Sequence, residues 1–302
     1  MKQRTIKKSV EIVGVGLHKG VPIKMTLEPL EANMGIIFYR VDEAVTIPLT
    51  AQYVVDTKMA TVIGKDGVIV STIEHLLSAI YAYGIDNLRI VLDNDEIPIL
   101  DGSSSGFCML LDEVGIKELD ATKKAIKVKK EVVVKAEGKF VKLKPSNHIT
   151  YDFSIDFDHP AIGEQQFRFD YSINEYKDNI SRARTFGFLH EVQYLRSIGL
   201  AQGGSLDNAI VLDDQKILNP EGLRFDDEFV RHKILDAIGD MSLLGYTMIG
   251  EYNAHAGSHH LNHLLTKELL SDPSNYEIID LEEETDRSEV KNLQVAYAKA
   301  RS

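Results

Sequence analysis

The sequence predicts an α+β protein made of two similar halves, and three observations carry that reading. Most periodic segments alternate apolar and polar residues, are rich in β-branched side chains and break at glycines, which is the pattern of strands. A few apolar segments at helical spacing stand among them. The order also repeats: strands, one histidine-bearing helix, then a strand, with Glu74 to Tyr83 leading into Leu88 to Leu92 and Phe229 to Leu244 leading into Tyr246 to Asn253. Halves packed face to face would bring both histidine-bearing helices to one site between them.

Taken in order, residues 5–30 read as strands, as in Ile23-Lys24-Met25-Thr26-Leu27. Among them lies Gly14-Val15-Gly16-Leu17-His18-Lys19-Gly20, either a plain hairpin turn or a tight turn that lets backbone approach a neighbour closely. Thr61 to Ile63 and Val68 to Val70 flank Asp66-Gly67, a hairpin signal. The helix from Glu74 is expected to start in a capping box, Ser71 with Glu74 three residues on, and to stop at Gly84. Asp101-Gly102-Ser103 opens another helix, through about Val114. Lys117 to Lys130 is lysine-rich and is the best candidate linker, so the domains are expected to cover 1–120 and 121–302. Strands resume at Glu131 to Ala136, Phe140 to Leu143 and Ile149 to Phe157, with another near Phe167 to Tyr171. Leu189 to Ile198 is a short amphipathic helix ended by Gly199. The helix carrying His232 is expected to begin near Asp226-Asp227, whose charges suit a helix N-terminus. Residues 272–302, with the acidic run at Glu282-Glu283-Glu284, read as a solvated tail.

The composition is that of an ordinary globular chain: 302 residues, 44% hydrophobic and 26% charged. A net charge of -12 argues against sequence-independent binding to nucleic-acid phosphates, though not against an anionic small substrate met by a local basic cluster. One cysteine, Cys108, allows no intrachain disulfide and fits a reducing compartment. The basic start lacks the pattern of a signal peptide, and no apolar run approaches the roughly 20 residues that span a bilayer. These features point to the cytoplasm.

The chemistry centres on Arg231-His232-Lys233-Ile234-Leu235-Asp236-Ala237-Ile238-Gly239-Asp240. On a helix, His232 and Asp236 sit one turn apart on one face, either as a simple hydrogen-bonded pair or as two corners of a zinc site. His75 is the candidate third ligand, the alternative being a half-buried core histidine. Two nitrogens and one oxygen leave a fourth position open, the pattern of a catalytic zinc centre. Glu74 points about 100° away from His75 along the helix and is placed to act as a base, unless it serves the capping box. Histidines between His255 and His263 offer a general acid, held by Asp240, or a metal site of their own from His255, His259 and His263. Lys233 is a candidate for anionic substrate oxygens, and Thr185 for a developing oxyanion.

Six segments together resemble one family: Val13-Gly14-Val15-Gly16-Leu17-His18, Glu74-His75-Leu76-Leu77-Ser78-Ala79, Leu100-Asp101-Gly102-Ser103, Ala183-Arg184-Thr185-Phe186-Gly187-Phe188, Gly203-Gly204-Ser205-Leu206-Asp207-Asn208-Ala209, and His232 to Asp240. The family is the zinc-dependent UDP-3-O-acyl-N-acetylglucosamine deacetylases, and the match runs in order to about residue 270. The resemblance implies two similar two-layer α/β sandwich domains with the active site between them. It implies removal of acetate from a UDP-linked, 3-O-acylated glucosamine, the committed step of lipid A synthesis. Carried over, His75, His232 and Asp236 would bind Zn²⁺, Glu74 would be the base, and Thr185 would steady the oxyanion. Asp240 would pair with the acid and Lys233 would contact substrate. Phe157 would stack on uracil, and an insert near 186–210, with Phe186 and Leu200, would shape an apolar passage for the acyl chain. The family's Gly-His-x-x-Asn reads here as Ser258-His259-His260-Leu261-Asn262, which selects His259 as the acid and leaves His260 as its rival. A zinc hydrolase for another N-acetylated substrate and a metal-stabilised binding protein are the alternatives.

Overall fold

A computed structural model describes residues 1–281 and 293–297. In the first half, β1 (Lys2–Ile6), β2 (Val10–Val15), β3 (Pro22–Pro29), β4 (Ile36–Arg40) and β5 (Val45–Pro48) are followed by a small sheet of β6 (Val54–Asp56), β7 (Val62–Lys65) and β8 (Val68–Val70). Then come α1 (Glu74–Ala82), β9 (Leu88–Leu92), α2 (Ser105–Val114) and β10 (Ile116–Thr122). The second half runs β11 (Lys124–Val128), β12 (Val132–Ala136), β13 (Lys139–Lys144), β14 (Ile149–Phe157), β15 (Gly163–Asp170), α3 (Ile173–Asn179), β16 (Phe186–Phe188), α4 (Leu189–Ser197) and β17 (Ile210–Leu212). It closes with α5 (Glu228–Met241), β18 (Thr247–His255), α6 (His259–Ser271) and β19 (Tyr276–Asp280).

The internal repeat is visible in the pairing. In the first half β2–β3 is an antiparallel hairpin, β3 pairs antiparallel with β9, β9 pairs parallel with β4, and β4–β5 is antiparallel. The second half repeats each relation in β12–β13, β13–β18, β18–β14 and β14–β15. The central strand of each sheet follows a helix, α1 before β9 and α5 before β18, and a second helix follows it. Each half also carries an insert before that helix: the β6–β7–β8 sheet in the first, and parallel β16–β17 joined through α4 in the second.

The helices α1 and α5 pack against each other between the sheets. Every residue of α1 is buried, as are twelve on α5. Gly239 makes this contact close: a Cβ there would lie 2.1 Å from the Glu74 carbonyl oxygen, so any larger residue pushes the two helices apart. Apolar side chains such as Leu76, Leu77, Ile234, Leu235 and Ile238 fill the rest of the crossing and are fully buried. Their removal from water supplies the driving force that holds the polar residues between them.

Three local expectations are corrected. Lys117 to Lys130 is not a linker loop but β10 and β11, which pair with β1 and with β18 and β19. Its lysines mask buried Leu119, Ala125, Ile126 and Val128, and the exposed strand positions carry the charge. The capping box does not form: Ile73 occupies the N-cap, and Ser71 bridges to Glu96 instead. The helix expected near Asp226-Asp227 does begin there, at Glu228 with Asp227 at the N-cap, though Asp227 makes no side-chain cap bond. The tail is partly core, since β19 pairs with β11 and Leu293, Ala296 and Tyr297 are buried, with Arg4 over the Tyr297 ring. The acidic run at 282–284 lies outside the described residues. The Asp66-Gly67 turn is as expected, both residues having positive φ between β7 and β8. No described helix is long and apolar enough to cross a membrane.

Candidate active site

His75, His232 and Asp236 converge between α1 and α5, and all three are buried. His232 Nε2 lies 3.3 Å and His75 Nε2 3.5 Å from the same oxygen, Asp236 Oδ1. The two imidazole rings stand edge to face with centroids 4.9 Å apart. Asp236 Oδ1 has no hydrogen-bond partner although it is buried. An orphaned buried carboxylate oxygen facing two imidazole nitrogens is costly without a cation to share. Donors around a four-coordinate zinc at about 2.1 Å stand about 3.4 Å apart, which matches both measured edges. The donor set therefore fits Zn²⁺, with two nitrogens and one oxygen from protein and, among the described residues, no fourth protein ligand in the group.

Protonation agrees with that fit. Burial pushes the His232 imidazole down to about 3, so it is neutral. Its Nδ1 lies 3.0 Å from the Ala183 carbonyl oxygen, which fixes the proton there and leaves Nε2 as a free lone pair. Burial works against the charge on Asp236, yet the Lys233 ammonium beside it holds its carboxyl well below the ordinary carboxylate range. Lys233 Nζ is 3.1 Å from Asp236 Oδ2 and 5.5 Å from the centre of the Phe186 ring.

Beside this group lies a second set, in which Glu74, Asp240 and Thr61 are buried and His259 is partly so. Glu74 Oε2 accepts a hydrogen bond from the Thr61 backbone N–H at 3.1 Å, and Glu74 Oε1 is 3.6 Å from His259 Nε2. The other side of His259, Nδ1, is 2.8 Å from Asp240 Oδ2. Asp240 also accepts from Thr61 Oγ1 at 2.6 Å and from Asn262 Nδ2 at 2.8 Å. Burial raises the Glu74 carboxyl above the ordinary carboxylate range, against the pull of His259 and His75. Burial alone would lower His259, but Asp240 and Glu74 raise its imidazole to about 10. Ser258 caps α6 through the Leu261 N–H and so sets the direction in which His259 enters the site.

The neighbouring histidines lie elsewhere. His260 is exposed, its Nδ1 3.2 Å from Thr57 Oγ1. His255 Nδ1 is 2.9 Å from Ser154 Oγ. Among the described residues His255, His259 and His263 do not form a metal group.

The segment from Ala183 to Thr185 is braced from both sides. Fully buried Glu228, first residue of α5, takes the Arg184 backbone N–H at 3.0 Å and its Nε at 2.9 Å. Thr185 N–H donates to the Gly102 carbonyl at 2.8 Å, and the Thr185 carbonyl accepts from Ile210 N–H at 2.8 Å. The glycine turn around His18 does approach a neighbour closely. Its Leu17 and His18 carbonyls accept from Gly203 and Gln202 N–H groups of the second insert, at 3.0 and 2.9 Å.

The expected substrate residues fall in two places. Phe157, at the end of β14, is 5.9 Å between centroids from both Phe186 and Phe188, and Phe186 is 6.5 Å from the His232 ring. Leu200 instead lines a cavity of about 290 Å³ with His18, Val55, Met59, Val62 and Ile69, between the first insert and the second. Sequence reasoning missed Thr61 and the Arg184–Glu228 pair. No local pattern marks the first; Arg184 stood inside a quoted motif without a role.

A protein-family model described as LpxC, UDP-3-O-acyl N-acetylglycosamine deacetylase, matches residues 3–271. Several proteins named UDP-3-O-acyl-N-acetylglucosamine deacetylase are similar along nearly the whole chain. That of Aliarcobacter butzleri (strain RM4018) is 74% identical over 303 residues, covering 100% of both chains. That of Campylobacter fetus subsp. fetus (strain 82-40) is 60% identical, covering 94% of this chain and 97% of the relative. That of Helicobacter pylori (strain J99 / ATCC 700824) is 59% identical, covering 92% and 95%.

Proposed function

This chain belongs to the LpxC family of UDP-3-O-acyl N-acetylglycosamine deacetylases, and on that premise we propose how its own residues divide the reaction. It is a zinc-dependent hydrolase that removes acetate from UDP-3-O-acyl-N-acetylglucosamine in lipid A synthesis. The observation that supports the division of labour is the pairing of two oppositely tuned groups beside the metal ligands. Glu74 is a buried carboxyl and His259 an imidazole raised to about 10, and they face each other at 3.6 Å.

When bound by His75, His232 and Asp236, zinc supplies a Lewis acid that lowers the pKa of water and polarises a carbonyl. Glu74 accepts the proton of the attacking water at its Oε1, while Thr61 N–H occupies Oε2. His259 carries the proton that the departing amine needs, and Asp240 at 2.8 Å keeps it charged and oriented. Thr185, fixed at both backbone ends, donates to the oxygen on which negative charge develops. Lys233 holds an anionic or carbonyl oxygen of the substrate from the same helix turn as the ligands. Phe157 offers its face to the uracil base, and Phe186 and Leu200 border the path of the acyl chain. The cavity at Leu200 supports that path by its mostly apolar lining.

Base and acid must be in opposite protonation states, so kcat/KM is expected to follow a bell against pH. Because burial raises Glu74, the acidic limb should lie above the ordinary carboxylate range, with activity lost as pH falls through it. Because Asp240 and Glu74 raise His259, the basic limb should lie above the ordinary imidazole range, with activity lost as pH rises through it. A pH–rate series on the zinc-loaded protein checks this. A single-limbed profile rejects the pair.

The strand pairings support a division of the chain near residue 120, since β10 pairs with β1 and β11 pairs with β18 and β19. The single buried cysteine suits a reducing compartment, which supports placing the reaction in the cytoplasm.

A further inference from the structure

We propose that Thr61 is a positioning residue that ties the base and the acid of this site into one unit. Thr61 is 1% exposed and sits just before β7, in the first insert, 13 residues before Glu74 and 179 before Asp240. It uses its polar groups on three different partners. Its backbone N–H donates to Glu74 Oε2 at 3.1 Å, and its hydroxyl donates to Asp240 Oδ1 at 2.6 Å. Its carbonyl accepts from the N–H of Ile73, the N-cap of α1, at 3.5 Å.

The consequences follow from the geometry. A carboxylate is free to rotate about its last bond, and a donor on one oxygen selects which oxygen faces inward. With Oε2 of Glu74 held by Thr61, Oε1 is the oxygen turned toward His259. Asp240 is held in the same way. Asn262 and His259 share its Oδ2, and Thr61 supplies the donor on Oδ1. Removing that hydroxyl leaves a buried carboxylate oxygen unsatisfied, and the carboxylate then turns to seek another donor. His259, whose Nδ1 depends on Asp240, moves with it. Thr61 bonds to Glu74, Asp240 and Ile73 and to none of the metal ligands, so its effect must appear in turnover rather than in binding.

The inference rests on the proposed roles of Glu74, His259 and Asp240. The test is a comparison of Thr61→Val, which keeps the shape and loses the hydroxyl, with Thr61→Ser, which keeps the hydroxyl. Each is made in the parent and in an Asp240→Asn background. Steady-state kinetics on UDP-3-O-acyl-N-acetylglucosamine are normalised to the folded fraction measured by circular dichroism.

Thr61→Val should lower kcat about 10- to 100-fold, the size of one lost hydrogen bond to a buried charge, with KM little changed. Thr61→Ser should keep most of the parent rate. In the Asp240→Asn background Thr61→Val should add little further loss, because the partner has already been changed. If Thr61→Val does not fold, Thr61→Ala takes its place in the same cycle.

Equal losses in the valine and serine variants, a loss seen mainly in KM, or full additivity with Asp240→Asn would each overturn the proposal. Failure of the acid–base reading itself looks different: Asp240→Asn alone would then leave kcat intact.

Discussion

Replacing Glu74 with alanine will leave zinc bound and remove most turnover. Glu74 is not among the three metal ligands, so metal content measured on the purified variant should match the parent. A positioned general base contributes about 10²- to 10⁴-fold to rate, and kcat should fall by that order. Glu74 is 3% exposed, and a carboxylate is buried at such a place only at a cost in stability. The alanine variant should therefore be no less stable to heat than the loss of one hydrogen bond from Thr61 N–H allows. If the variant instead unfolds while activity per folded molecule stays intact, the carboxylate serves the helix and not the reaction.

Replacing His259 with alanine should cost about as much, again about 10²- to 10⁴-fold in kcat, while His260→Ala should leave kcat near the parent value. Sequence spacing alone set these two histidines side by side as rivals. Their surroundings differ: one ring lies between Asp240 and Glu74, and the other is exposed and meets Thr57 Oγ1 at 3.2 Å. The alanine at 259 should also remove the basic limb of the pH profile, since no charged imidazole is then left to titrate there. A larger loss at 260 than at 259 would move the acid to the exposed ring.

What the sequence made legible was local or repeated. The Asp66-Gly67 turn needs only its own two positive φ angles. His232 and Asp236 are one helical turn apart, so their shared face follows from the helix period alone. The halves repeat because each must cover one face of a sheet with a helix, and the same order of pairings serves both. The third ligand was different: His75 lies on the other half, and it is reached only through the repeat, which sets two histidine-bearing helices face to face, and through the set of linked motifs.

What stayed hidden was tertiary. Thr61 meets Glu74 and Asp240 through a fold in the first insert that no local pattern announces. Glu228 looks like an ordinary acid in the first turn of a helix, yet it is fully buried against Arg184. The strands β10 and β11 are obscured by their lysines, whose charge dominates the composition and covers the alternation of buried and exposed positions beneath it. The box expected from Ser71 and Glu74 failed because the site, and not the helix end, holds that carboxylate.

The most direct test is acetate release from UDP-3-O-acyl-N-acetylglucosamine, followed through one cycle of chelation and zinc return. The protein should release acetate with zinc present, stop when the metal is stripped, and recover when zinc is restored. His232→Ala should not recover under the same treatment. Acetate release that persists in the stripped protein, or that returns with zinc in the variant lacking the 232 imidazole, would contradict a reaction built on His75, His232 and Asp236.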